Sequence, residues 1–284
     1  MPRELYEILN DAAASLGLVD LKPLIPGGQK LVYTAKLNHV DVVLKLILLP
    51  KDPDAADRIR ERAHREVELL SEIDSDRVVR MMLDAVEIGD PPDAVCWAEE
   101  LLGGDDLQAH MTIPWSEDMT VQLLADIGQA LAACHELAVI HRDLSPGNVR
   151  RLPNGRFVLM DPGLARHLEK EALTGFFQPG TRGYRSPEHT PGGKPIPASD
   201  VFGLGILAFR MLTGTLPIDP MGRSEDEYNR ILLYGNAPKL SASAASPPLC
   251  ELVDRCLQRQ PARRFIDAFE LLETLTKSGL SWES

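Results

Sequence analysis

The apolar positions are spaced mostly for strands up to Gly103-Gly104 and mostly for helices beyond, and that shift divides the chain. Residues 4–18 repeat at helical spacing, with Leu5, Ile8, Leu9, Ala12 and Leu16 on one face, which predicts an amphipathic helix. Strand patterns follow. Leu31–Leu37 and Val40–Leu49 are rich in β-branched and apolar residues, and Asn38-His39 between them reads as a hairpin turn. Residues 54–72 are charged, with an apolar stripe at Ile59, Ala63, Val67 and Leu70, and predict a helix. Val78–Glu87 and Ala94–Glu99 predict two further strands, separated by the breaker Gly89-Asp90-Pro91-Pro92.

After Gly103-Gly104 the pattern is helical. Met119–Val139 is long and periodic, and two short strands at Val149–Leu152 and Phe157–Met160 flank the turn Pro153-Asn154-Gly155. Loop-rich sequence runs from Leu168 to Pro197. Helices are expected at Ser199–Thr213, Pro248–Gln258 and Phe265–Lys277. A β-rich part followed by a helical part is an α+β arrangement. The reading gives an N-terminal helical extension over 1–20, a first lobe over 21–101 and a second over 102–284, with the hinge near Glu99 to Gly104.

Composition narrows the function classes. The chain has 284 residues, enough for two packed lobes, and a net charge of −12. That charge disfavours a nucleic-acid partner and favours a basic protein one. The four cysteines, Cys96, Cys134, Cys250 and Cys256, lack metal-site spacing and read as reduced core thiols. The start, Met1-Pro2-Arg3-Glu4, lacks the apolar run of a secretion signal, and no apolar stretch approaches the ~20 residues needed to span a bilayer. A cytoplasmic protein without a membrane partner is the expectation; the oligomeric state is not readable.

The chemistry concentrates in His141-Arg142-Asp143-Leu144-Ser145-Pro146-Gly147-Asn148, followed by Asp161-Pro162-Gly163. A carboxylate, an amide five positions on and a second carboxylate suit phosphoryl transfer from a magnesium-bound nucleotide. In the first part, Val42-Val43-Leu44-Lys45 sets a lysine on an apolar strand, which requires an anionic partner or an edge position that keeps the sheet soluble. Glu66 on the following helix is either that partner or a solvated charge. Gly180-Thr181-Arg182-Gly183-Tyr184-Arg185-Ser186-Pro187-Glu188, Asp200-Val201-Phe202-Gly203 and Pro261-Ala262-Arg263-Arg264 complete the set.

In this order, from Ile25 to Arg264, the motifs resemble those of the eukaryotic-type protein kinases, and the compact form resembles the bacterial serine/threonine kinases. The resemblance implies a bilobal α+β fold with a β-rich N-lobe and a mainly helical C-lobe. It implies a phosphotransferase using ATP and Mg2+ on serine or threonine hydroxyls of a protein, itself included. The alternative is a nucleotide-binding pseudokinase that regulates a partner protein.

It also assigns roles. Asp143, Lys45 and Glu66 are catalytic, and Asn148 and Asp161 hold metal. Gly27, Gly28, Val32, Val43, Lys45, Glu99, Leu101 and Arg150 surround ATP. Thr174 and Thr181 are phosphosite candidates, either of which would meet Arg142 once phosphorylated. Glu188, Asp200 and Arg264 are structural, Arg264 pairing with Glu188 and Asp200 tying down the catalytic loop.

The glycine loop and four further positions depart from the family pattern. Only Gly27 of the three loop glycines is kept in the expected register, with Gly28 beside it. Ser145 stands where serine/threonine kinases carry a lysine, a loss of a donor that costs on the order of 100- to 1,000-fold in rate. Pro162 replaces the central phenylalanine of the metal-binding triplet. Arg150 and Val43 stand where the adenine ring normally meets an apolar side chain and an alanine.

Overall fold

The computed structural model describes residues 4–25, 30–111, 113–161, 181–190, 193–241 and 244–282, apart from the side chains of Ile25, Lys30 and Glu66. They form two compact units.

The first unit holds the described residues of 4–74 together with Val79–Leu102. Helix α1 (Leu5–Leu16) begins where the Glu7 side chain accepts the Glu4 N–H, and ends at Gly17 in a left-handed cap. Five strands follow: β1 (Leu18–Ile25), β2 (Lys30–Leu37), β3 (Val40–Leu48), β4 (Met81–Gly89) and β5 (Pro92–Glu100). They make one antiparallel sheet in the order β1-β2-β3-β5-β4. The Asn38-His39 turn joins β2 to β3 with both residues at positive φ, as a two-residue hairpin requires.

Alternation along β3 gives the sheet two faces. Val42, Leu44 and Leu46 join Ile8, Ala12 and Leu16 of α1 in one core. Ile47 points to the other face, where it meets Val95 and Trp97 of β5 and Ile59, Ala63 and Val67 of helix α2 (Pro53–Ser71). Helix α2 starts at an Asp52 cap whose side chain accepts the Ala55 N–H. The stripe read from the sequence thus packs as expected, with Leu70 at its half-buried end.

The second unit holds Ser75–Val78 and the described residues from Gly103 onward. Its small sheet is β6 (Asp105–Asp106), β7 (Val149–Arg151) and β8 (Phe157–Leu159). Gly104 permits the β6–β7 approach: it has φ +75°, and a Cβ there would lie 2.0 Å from the Arg151 carbonyl oxygen. The helices are α3 (Glu117–Glu136), α4 (Pro197–Thr213), α5 (Glu225–Tyr234), α6 (Pro247–Cys256) and α7 (Ala268–Lys277). Helix α3 packs on α4 and α7, and α4 on α6.

Helix α4 is apolar nearly all round and correspondingly buried. Among the described residues, no helix is long and apolar enough to cross a membrane. The four cysteines are free and buried, and burial pushes the thiols of Cys96, Cys134 and Cys256 up to about 12.

Strand β1 and helix α5 were not expected from the apolar pattern. In β1 the period is broken by Asp20 at positive φ and by shifts of register against β2. Helix α5 has only Tyr228, Asn229 and Leu232 buried, although its capping box, Ser224 with Glu227, is a legible start signal.

Candidate active site

In the first unit, one face of the sheet collects the residues assigned to nucleotide. Val32 lies opposite Lys45, and Val43 opposite Glu99, so all four side chains share the face that α1 does not cover. Leu101 follows the end of β5 and is partly exposed. Gly27 and Gly28 lie outside the described residues. Lys45 and Glu99 are 6 % and 4 % exposed, and their charges pair at 2.5 Å, Lys45 Nζ to Glu99 Oε2. The other carboxylate oxygen of Glu99, Oε1, accepts the Trp97 indole N–H at 2.9 Å. Glu66 is on α2, and its side chain lies outside the described part. Sequence reasoning assigned Glu99 to the nucleotide and missed its pairing with the lysine. The pairing is set by the register of β5 against β3, in which Glu99 shares a face with Lys45, and the sequence alone does not carry that register.

In the second unit the His141–Asn148 loop is built around a buried carboxylate. Asp200, in the first turn of α4, accepts the backbone N–H of His141 at 2.8 Å and of Arg142 at 2.9 Å, and meets His135 Nε2 at 3.0 Å. Burial acts to raise the Asp200 pKa. The His135 hydrogen bond, the nearby imidazoles of His141 and His135, and the Arg142 N–H outweigh it, and the net direction is down. The anion therefore persists inside the protein and fixes the loop.

Arg142 sits at φ 65° and Asp161 at φ 45°, left-handed conformations that cost about 1–3 kcal/mol each for residues other than glycine. Both are held by their neighbours. Arg142 donates to Asp200 through its N–H, and its carbonyl faces His189 Nε2 at 2.8 Å. Met160, next to Asp161, donates its N–H to the Asn148 carbonyl at 2.8 Å, while its carbonyl lies 3.2 Å from His141 Nε2. His141 is thus a buried brace between the loop and the approach to Asp161.

The loop brings Asp143 and Asn148 together. Asn148 Nδ2 donates to the Asp143 carbonyl at 2.8 Å. Asp143 is buried, and one of its oxygens, Oδ1, accepts both the N–H and the hydroxyl of Thr181, at 2.6 and 2.7 Å. The hydroxyl of this phosphosite candidate is therefore engaged with the aspartate. Thr174, Pro162 and Gly163 lie outside the described residues, and the Arg142 side chain is exposed. Ser145 is buried at the start of the Pro146–Asn148 turn. Arg150, on β7, donates through Nε to the Gly103 carbonyl at 3.3 Å.

Arg264 grips Glu188 with two hydrogen bonds, 2.8 and 3.0 Å, and gives its remaining donors to the carbonyls of Gln258, Arg259 and Ala198. Its guanidinium also lies over the Phe202 ring.

Among the described residues, no group of three or more His, Cys, Asp or Glu side chains is arranged to hold a metal. Asn148 and Asp161 offer an amide oxygen and a carboxylate, hard oxygen donors that suit Mg2+, which takes one or two protein carboxylates and draws its other ligands from phosphates and water. With Nδ2 committed to the Asp143 carbonyl, the Asn148 side chain presents its oxygen as the remaining ligand.

Comparison with known proteins gives the same direction. The protein kinase domain model matches residues 26–274. The chain is 32% identical to the serine/threonine-protein kinase pkn2 of Myxococcus xanthus over 90% of its own length and 31% of that protein. It is 29% identical to PknA of Corynebacterium glutamicum, over 86% of this chain and 52% of the relative. It is 26% identical to PrkC of Bacillus subtilis, over 87% and 37%. The chain thus spans about half or less of the length of these serine/threonine-protein kinases. With the match covering most of its residues, this chain belongs to the protein kinase domain family.

Proposed function

We propose that this chain transfers the γ-phosphoryl group of magnesium-bound ATP to serine or threonine hydroxyls of a protein substrate, its own chain among them, in the cytoplasm. The observation that carries the reading is the loop in which Asp143, clamped by Thr181, is joined through its backbone to Asn148, with Asp161 following the short β8 strand.

Each residue has a task of its own. Asp143 orients the acceptor hydroxyl and takes its proton; the two Thr181 hydrogen bonds to Oδ1 fix the plane of the carboxylate for that work. Asn148 and Asp161 hold the cation. Lys45 supplies a fixed positive charge for the phosphates, and Val32, Val43 and Leu101 offer apolar surface to the base. The cation and nucleotide, when bound, supply the activated phosphoryl group and neutralise its charge. Arg150, bonded to the Gly103 carbonyl, is held within its own unit.

The test is transfer of label from γ-labelled ATP with Mg2+ to the chain and to generic protein acceptors. Incorporation into serine or threonine, lost in Asp143→Asn, supports the reading. Nucleotide binding without transfer to any acceptor overturns it in favour of a regulatory pseudokinase.

A further inference from the structure

Lys45 is anchored from within its own sheet. The ammonium is buried, and burying a lone charge is prohibitive unless an opposite charge and hydrogen bonds compensate it. One carboxylate that meets it belongs to Glu99, on the strand directly bonded to β3. Lys45 faces Trp97 in register, and Glu99 is the next residue of β5 on that side. The carboxylate is itself fixed: one oxygen takes Lys45, the other the Trp97 indole N–H. Trp97 in turn is wedged among Ile47 and Val95 of the sheet and Ile59, Ala63 and Val67 of α2. Packing thus locks the ring, the ring holds the carboxylate, and the carboxylate holds the lysine.

We propose that Glu99 is a positioning residue for Lys45, so that the lysine is aligned by the sheet and not by the helix carboxylate Glu66 alone. The inference rests on the reading of Lys45 as the phosphate-facing lysine. It separates this chain from an arrangement in which α2 alone governs the lysine.

Two measurements test it on the full chain. The first is steady-state transfer with Mg-ATP for Glu99→Gln, Glu66→Gln and Trp97→Phe. Glu99→Gln keeps the shape and removes the charge; its kcat/KM for ATP is expected to fall at least tenfold, more than for Glu66→Gln. Trp97→Phe keeps the packing and removes the N–H, and a smaller loss in the same direction is expected. The second needs no activity: the rate at which an amine-reactive ester labels Lys45, located by mass spectrometry. Loss of the pairing charge releases the amine from its ion pair, and labelling in Glu99→Gln is expected to rise several-fold over the parent. Should Glu99→Gln fail to fold, Trp97→Phe carries both measurements.

Parental labelling in the Glu99 and Trp97 variants, or loss of alignment only in Glu66→Gln, overturns the proposal. If the parent transfers no phosphate, the catalytic reading fails by itself, and the labelling rates still decide whether Glu99 holds the lysine.

Discussion

Arg264 holds both carboxylate oxygens of Glu188, and at 1 % exposure it is among the most buried charged side chains described. The pair ties the segment after Thr181 to the turn before α7. Truncating one partner of such a pair strands the other charge in the interior. Arg264→Ala is therefore expected to cost roughly 3–5 kcal/mol of stability, read as a lowered denaturation midpoint. A melting temperature within a degree of the parent would contradict the burial argument. Burial acts to raise the Glu188 pKa, but Arg264, Ser186 and Ser199 outweigh it and the net direction is down. Its contribution is accordingly present above the ordinary carboxyl value of 4.5 and is lost as pH falls through the lower folded value.

Asp200 gives a second prediction. Its carboxylate satisfies two loop N–H groups and faces His135. Asp200→Ala leaves those donors without a partner and releases the left-handed Arg142. An unsatisfied buried donor costs about 1–3 kcal/mol, so both stability and transfer are expected to fall, transfer by more than tenfold. Full activity in a stably folded Asp200→Ala protein would show that the loop keeps its shape without this tether.

His189 predicts an acid-side loss of stability. Burial is the leading cause that lowers its pKa from 6.5, against the opposing pull of Asp200 and the Arg142 carbonyl. Below 6.5 the unfolded chain takes up a proton that the folded chain resists, so folding stability declines as pH falls through that window and is intact above it. Urea titrations of the parent and of His189→Gln test this. The variant is expected to be less stable at neutral pH but to show a flatter dependence below 6.5. Identical slopes would remove His189 from the account.

Lys45→Met is expected to reduce turnover by orders of magnitude. The motif alone suggests that folding is spared, because the lysine serves the phosphates. The structure changes that expectation, since removing the ammonium leaves the Glu99 carboxylate buried beside Trp97 without its charge partner. A measurable loss of stability should follow, and Lys45→Met with Glu99→Leu should regain much of it. Parental stability in the single variant would contradict this.

The sequence was most legible where chemistry and periodicity are local. The His141–Asn148 loop needs a fixed spacing of functional groups, and the α2 stripe needs only the helical repeat, so both could be read without tertiary information. The Asn38-His39 hairpin was readable for the same reason. What escaped notice was set by pairing between strands. Glu99 and Lys45 lie 54 positions apart and meet only because β3 and β5 are bonded in one register. Strand β1 was hidden by its irregular register, and α5 by the small share of its surface that is buried. Arg150 is a milder case: its guanidinium, able to stack on a flat ring, also bonds the Gly103 carbonyl, a contact made beside the β6–β7 pairing.

Calorimetry of a non-hydrolysable ATP analogue, titrated with and without magnesium, tests the central claim most directly. The account predicts binding that magnesium strengthens, with the enhancement abolished in Asp161→Asn and weakened in Asn148→Ala while both variants remain folded. Binding that is indifferent to magnesium, or equal in the parent and Asp161→Asn, would contradict it.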